Sequence, residues 1–218
     1  MKAAIFDWDG TLVDSFPVAY KVFKQVLGDD FTETDLKNSF GVGAGGVVRG
    51  YFERKGIPYS EKKIKELAKE KTRVQVTLAS ETKVLPGVIE TLDFLKKEKY
   101  RIAICSSNYK SVIDSVLKEN GLSGYFEVII TGDNTWAKKL KPHPDIFLHT
   151  AEDLKLPPRE CVVFEDSPMG IEAAKNAGME VIGLCTGPFT RDEVKAKDPD
   201  LVVDSLRQLD EIKAFLGC

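Results

Sequence analysis

Five strand-length apolar runs punctuate this chain, and they restrict its fold more than any other feature. They are Ala3–Phe6, Arg101–Cys105, Glu127–Thr131, Cys161–Phe164 and Glu180–Leu184, with a weaker sixth at Leu201–Val203. Apolar residues fill consecutive rather than alternate positions, which is the pattern of strands covered on both faces in a parallel sheet. Helical patterns lie between the runs. Gly87–Lys97 sets Val88, Leu92 and Leu95 on one face behind Pro86, and Lys110–Glu119 carries Val112, Ile113, Val116 and Leu117 before a closing Gly121. Pro144–Leu154 and Pro168–Ala177 follow, the latter ending at Gly178. This alternation from residue 85 onward predicts an α/β fold with a doubly wound, Rossmann-like parallel sheet.

Residues 16–83 break the alternation. They read as helices only, at Val18–Val26, Thr34–Phe40, Val47–Lys55 and Ser60–Leu78. The expected organisation is an α/β core domain of residues 1–15 and 84–218, with a helical cap domain of residues 16–83 inserted after the first strand. The connectors Asp14–Pro17 and Glu81–Pro86 are the predicted hinges, and Asp14 and Ser15 read as caps of the helix beginning near Pro17.

Composition excludes several classes of function. The chain of 218 residues has 31 Lys+Arg against 34 Asp+Glu, a net charge of −3, so nothing electrostatic favours nucleic acid as a partner. No apolar stretch approaches the roughly 20 residues of a membrane span. In the opening MKAAIFDWDG the apolar run stops at Asp7, too soon for a secretory leader. Cysteines 105, 161, 185 and 218 form no CxxC pair and read as reduced thiols of a cytoplasmic protein. The two histidines, His143 and His149, lack zinc-site spacing, and His143 is expected to be exposed in its proline-flanked loop.

Parallel α/β sheets bind ligands at the carboxyl ends of their strands. Asp7-Trp8-Asp9-Gly10-Thr11 follows the first run, Ser106-Ser107-Asn108 the second, Lys141-Pro142 the third after a longer loop, and Glu165-Asp166 the fourth. Acids ending two buried strands are costly unless a cation compensates them. Carboxylates with oxygen-only partners suit a hard cation, which points to Mg²⁺. Ser106, Ser107, the amides of a strand-to-helix turn and Lys141 then suit phosphate oxygens. The constellation predicts phosphoryl transfer, with an ionised aspartate as sufficient nucleophile.

The four segments DWDGTLVDS, ICSSN, LKPHPDIF and FEDSPMGIEAAKNAGM, in this order, resemble the motifs of the haloacid dehalogenase-like superfamily. The fourth is especially similar to the branch of phosphoglycolate phosphatase, sugar-phosphate phosphatases and beta-phosphoglucomutase. The resemblance implies Asp7 as nucleophile and Asp9 as the acid that protonates the leaving oxygen and then activates water. It implies Mg²⁺ held by Asp7, the Asp9 backbone carbonyl and Asp166, with Glu165 at or just outside that shell. Ser106, Ser107 and Lys141 would hold the phosphoryl group. Asn108 has two readings, orienting substrate or capping its helix. Gly41-Val42-Gly43-Ala44-Gly45-Gly46 spells GxGxxG, but the segment before it reads as helix and no second acid-ended strand follows, so a dinucleotide site is excluded. In related capped enzymes the matching loop faces the active site, and Gly43, Ala44, Gly45 and Gly46 are expected to form an adaptable loop there.

The implied function is a cytoplasmic Mg²⁺-dependent phosphatase acting on a small phosphorylated metabolite such as a sugar phosphate, through an aspartyl-phosphate. It is expected to be a monomer or weak dimer with neither nucleic acid nor membrane as partner. The alternative is a phosphotransferase of the beta-phosphoglucomutase type. Those enzymes carry a histidine in the first cap helix and an arginine in the cap loop. Here those positions are Ala19 and Ala44, and Arg49, about one helical turn on, is the candidate substitute.

Overall fold

The computed structural model describes residues 2–133 and 141–218. In chain order the elements begin with β1 (Ala3–Phe6) and β2 (Val13–Asp14). The helices α1 (Phe16–Leu27), α2 (Glu33–Lys37), α3 (Gly43–Lys55) and α4 (Glu61–Thr77) come next. Then follow β3 (Lys83–Val84), α5 (Val88–Lys97), β4 (Arg101–Cys105), α6 (Lys110–Glu119), β5 (Val128–Ile130) and α7 (Asp145–Asp153). The chain closes with β6 (Cys161–Glu165), α8 (Pro168–Asn176), β7 (Glu180–Leu184), α9 (Arg191–Lys195), β8 (Leu201–Val203) and α10 (Leu209–Leu216).

Six strands form one parallel sheet in the order β5-β4-β1-β6-β7-β8. Its consecutive apolar residues are divided between two faces. Ala4, Phe6, Ile104 and Phe164 pack beneath α5, α6 and α10, while Ala3, Ile5, Ala103 and Val163 pack against α7, α8 and α9. Every residue of β1 is fully buried, which is why its sequence shows no alternation. Phe6 and Phe164 stack with centroids 4.3 Å apart, so neighbouring strands are also joined through side chains. The chain leaves β1 for β4 and β5 on one side, then returns to β6, β7 and β8 on the other. The order therefore reverses beside β1, and a crevice opens at its carboxyl end.

The helices α1 to α4 gather a separate apolar cluster that includes Phe23, Phe31, Leu36, Phe40, Tyr51 and Ile64. The connectors to them are more ordered than the sequence suggests. β2 and β3 pair antiparallel, Val13 with Val84 and Asp14 with Lys83. Two residues are too few to show a period, so this ribbon was illegible in sequence. Ser15 occupies the N-cap position of α1, yet its side chain makes no capping bond and its buried Oγ has no partner. Asp14 is exposed and belongs to the ribbon.

The expected glycine-rich loop is instead the first turn of a helix. Gly43, Ala44, Gly45 and Gly46 open α3. Each helical glycine costs up to about 1 kcal/mol relative to alanine, but Val47, Val48, Tyr51 and Phe52 of the same helix are buried and outweigh that cost. Gly43 has φ +76°, and a Cβ there would stand 2.9 Å from the Ser107 carbonyl oxygen. The glycine thus lets the inserted helices approach the sheet edge. Among the described residues no helix is long and apolar enough to cross a membrane.

Candidate active site

The carboxyl ends of β1, β4 and β6 and the residue pair Lys141-Pro142 meet at one place. Asp7 continues β1, its backbone N–H donating to the Phe164 carbonyl at 3.0 Å. Lys141 Nζ donates to Asp7 Oδ1 at 2.6 Å and to Glu165 Oε1 at 2.5 Å. The other Glu165 oxygen accepts from the Ser167 N–H at 2.8 Å and from its hydroxyl at 3.0 Å. Asp166 takes the Thr11 hydroxyl on Oδ1 at 3.1 Å, while its buried Oδ2 has no partner. Leu140, the first residue of the third motif, lies outside the described residues.

Asp7, Glu165 and Asp166 each offer an oxygen within 4.8 Å of the others, all three buried. Against these three carboxylates stands the one ammonium of Lys141, leaving two negative charges in excess. Burial, reinforced by Glu165 and Asp9, pushes Asp7 up to about 8 despite Lys141. Burial and the charges of Glu165 and Asp7 likewise push Asp166 well above the usual carboxylate range. Lys141 is also buried, which favours loss of its proton, but Asp7 and Glu165 prevail and hold it firmly charged. The site lacks positive charge.

Space for that charge lies beside the unpartnered Asp166 oxygen. A Cβ on Gly187 would fall 1.7 Å from Asp166 Oδ2, and one on Gly10 2.4 Å from it. The chain therefore keeps two side chains away from this buried, unbonded oxygen. This donor set of carboxylates suits Mg²⁺, which takes one or two carboxylates and keeps waters.

The other expected residues separate into two groups. Asp9 stands apart from the trio, its carboxylate accepting from Asn108 Nδ2 at 3.2 and 3.3 Å. Asn108 Oδ1 accepts from the Tyr109 N–H, and the N-cap of α6 is Tyr109, so Asn108 faces Asp9 instead of capping the helix. Ser106 is buried, its hydroxyl accepting from the Asn108 N–H at 3.0 Å. A cavity of about 40 Å³ lies between the sheet edge and the inserted helices, lined by Asp7, Asp9, Ser107 and Asn108 below and by Gly43 and Ala44 above. Gly45 and Gly46 do not line it. A side chain at 45 would meet Ile64, and one at 46 would meet Val42. The helical turn directs them into the inserted helices, which corrects their expected place at the site. His143 is exposed, as its loop predicts, and all four cysteines are free.

Sequence reasoning missed Lys71. It sits on α4, only 4% exposed, and lines the same cavity as Asp7 and Asp9. Burial pulls its ammonium down to about 8, against an opposing pull from Asp9. The available signal was spacing: Ile64, Ala68, Lys71 and Gln75 recur at three and four residues, which is one helix face. Arg49, the candidate substitute for the missing cap arginine, is bound through both terminal nitrogens to Glu61 on the surface.

This fold and site define a class, a hydrolase on a parallel α/β sheet with acidic strand ends. The sequence profile of the haloacid dehalogenase-like hydrolases matches residues 4–184. The chain belongs to that family. It is 35% identical over 195 residues to a phosphorylated carbohydrates phosphatase of Thermotoga maritima, with 84% of each chain covered. It is 29% identical to a phosphoglycolate phosphatase of Vibrio vulnificus, covering 96% of this chain and 94% of that one. Among solved structures it resembles a beta-phosphoglucomutase from Clostridium difficile, with TM-score 0.86, 29% identity, and 98% and 96% of the two chains covered.

Proposed function

We propose that this chain is a Mg²⁺-dependent phosphatase that hydrolyses a small phosphorylated metabolite through an aspartyl-phosphate. The observation that carries the reading is the buried trio of carboxylates facing a single lysine, with one Asp166 oxygen left unbonded. In this reading Asp7, Asp166 and the Asp9 backbone carbonyl hold Mg²⁺, with Glu165 beside them. The ion supplies the missing positive charge, which keeps Asp7 ionised and offsets charge on the transferring phosphoryl group.

Each remaining step belongs to the chain. An Asp7 carboxylate oxygen attacks phosphorus, and the bond from phosphorus to the ester oxygen breaks. Asp9, placed by the Asn108 amide, gives its proton to that leaving oxygen. Water then attacks the phosphorus of the aspartyl-phosphate, returning a proton to Asp9 and freeing Asp7 and inorganic phosphate. Lys141, fixed by Glu165, neutralises the phosphoryl oxygens, and Ser106 and Ser107 donate to them. The four inserted helices, residues 16–83, act as a cap that opens on the connectors 14–17 and 81–86 to admit substrate and closes to exclude water.

Hydrolysis is favoured over phosphotransfer between positions of one sugar. Such transfer needs polar groups that grip the free hydroxyls of a turning sugar. Ala19 and Ala44 line the cavity at the two relevant positions, and Arg49 is committed to Glu61. The test is phosphate release from a panel of small phosphomonoesters with Mg²⁺. Rapid conversion of beta-glucose 1-phosphate to glucose 6-phosphate, with a trace of the bisphosphate and little free phosphate, would establish the transferase instead.

A further inference from the structure

The loop after β7 runs from the acidic strand ends to the inserted helices. Thr186 anchors it, its hydroxyl donating to the Gly10 carbonyl at 2.6 Å. Gly187 then passes so near Asp166 that a Cβ there would stand 1.7 Å from the unpartnered Oδ2. A Cβ on Gly10 would lie 2.4 Å from that oxygen and 3.1 Å from the Gly187 Cα, so the three groups are in close apposition. Two residues on, Phe189 is half-buried and packs against both the cluster of the inserted helices and the cluster on one face of the sheet. Among the described residues no other apolar side chain packs against both. The Lys37 ammonium of α2 lies 5.8 Å from its ring centre and pairs with Glu193, which also accepts from the Thr190 N–H at 2.7 Å.

We propose that Phe189 is a positioning residue, which through the 186–189 loop couples occupancy of the cation site at Asp166 to the seating of the inserted helices over the sheet edge. The inference rests on the phosphatase reading above, for the cation and for helices that part from the sheet. A cation taken by Asp166 Oδ2 fixes that carboxylate, and Gly187 has no side chain to absorb a shift between them. Pro188 locks its own φ, so little rotation separates Gly187 from Phe189. Phe189 in turn offers the inserted helices a large apolar face. The coupling is reciprocal. Helices seated on Phe189 hold the loop where it flanks Asp166, and a bound cation holds Phe189 where the helices pack. The exposed pair of Lys37 and Glu193 is too weak to do this alone.

The test uses Mg²⁺ alone, with no phosphoester, and reads its binding by calorimetry and amide hydrogen exchange by mass spectrometry. In wild-type protein Mg²⁺ is expected to slow exchange across α2 by about fivefold or more, the lower end of coupling between two sites. Phe189→Ala and Phe189→Gln are expected to abolish that slowing and to weaken Mg²⁺ binding by a similar factor. Phe189→Leu, which keeps an apolar side chain, retains most of both. Gly187→Ala starts from the other end: its methyl group collides with Asp166 Oδ2, so α2 exchanges equally fast with and without Mg²⁺. A merely structural Phe189 would change exchange by the same factor in both conditions. Bound Mg²⁺ that leaves α2 unaltered in wild-type protein overturns the proposal, as does slowing that persists in whichever of Phe189→Ala and Phe189→Gln folds. The phosphatase reading fails separately, in wild-type protein that binds Mg²⁺ and slows at α2 yet releases no phosphate from small phosphomonoesters. Absence of Mg²⁺ binding refutes both.

Discussion

At the strand ends, Asp7, Lys141, Glu165 and Asp166 lie within hydrogen-bonding or near-contact distance of one another in a buried cluster. Across the cavity, the inserted helices present methyl groups and rings, with Lys71 as their lone charge. The lower wall is dense in charge, and Lys141 bonds two of its carboxylates. The upper wall is sparse and its one charge is unbonded. The lower wall stands at the carboxyl ends of paired strands of the central sheet, which set the places of its charged groups. The upper wall carries a single charge on an otherwise apolar lining.

Breaking the lower wall has the largest expected effect. Asp7→Asn removes the nucleophile and a charge, and phosphatase turnover should fall by on the order of 10⁴-fold or more. Asp9→Asn removes proton transfer only, and turnover should fall about 10²–10⁴-fold. Retention of near-wild-type rates by Asp7→Asn in a phosphate-release assay would show that no aspartyl-phosphate forms.

The charge excess sets the next prediction, which needs no catalysis. Mg²⁺ at 100 times its Kd should stabilise the folded protein by about 2.7 kcal/mol, read as a rise in Tm that EDTA reverses. Asp166→Asn should erase most of that rise, since it removes the carboxylate with the unbonded oxygen. A Tm equally responsive to Mg²⁺ in wild type and Asp166→Asn places the ion elsewhere.

The two walls also differed in how readily the sequence disclosed them. The strands were legible because burial on both faces leaves no polar residue inside β1, β4 or β6, so each chemical group stands out at a strand end. The upper wall had no such contrast. Lys71 was hidden among the lysines of α4, and only its spacing from Ile64 and Ala68 marks it as buried. By resemblance to related capped enzymes the opening of α3 is expected to be an adaptable loop, and the poor helix propensity of glycine agrees with that. Packing of Val47 and Tyr51, together with the close approach of Gly43 to Ser107, overrides that preference. Ser167 caps α8 by accepting from the Gly170 N–H, and its bonds to Glu165 depend on a turn geometry that no spacing encodes.

Lys71 also makes a prediction about stability. Its folded pKa of about 8 lies below the ordinary 10.5, so folding disfavours the charged form. The difference corresponds to about 3 kcal/mol at most. Below pH 8 the lysine is charged in both states and the full penalty is present. Between pH 8 and 10.5 the unfolded chain binds more protons, so stability gained from deprotonation rises with pH and the penalty fades. Lys71→Met should therefore stabilise the protein by up to about 3 kcal/mol at pH 7 and by little above pH 10.5. Urea unfolding at pH 7 and pH 10 measures this, and an equal change at both values would contradict a desolvated lysine.

The smallest expected effect concerns how the two walls are joined. Lys37 of α2 pairs with Glu193 of α9 at 3.2 Å, and its ammonium lies 5.8 Å from the centre of the Phe189 ring. Both charged side chains are more than a third exposed, so water and salt screen the pair. Exposed pairs of this kind contribute about 0–1 kcal/mol, and an exposed cation over a ring adds about 0.5–1 kcal/mol. A double-mutant cycle of Lys37→Ala and Glu193→Ala should give a coupling below about 1 kcal/mol that shrinks further in 1 M salt. A coupling of several kcal/mol would mean that the inserted helices are clamped to the sheet. They would then need a large compensating gain to open, contrary to a cap that swings on its two short connectors. A weak coupling is what the proposed parting of the upper wall from the lower one requires.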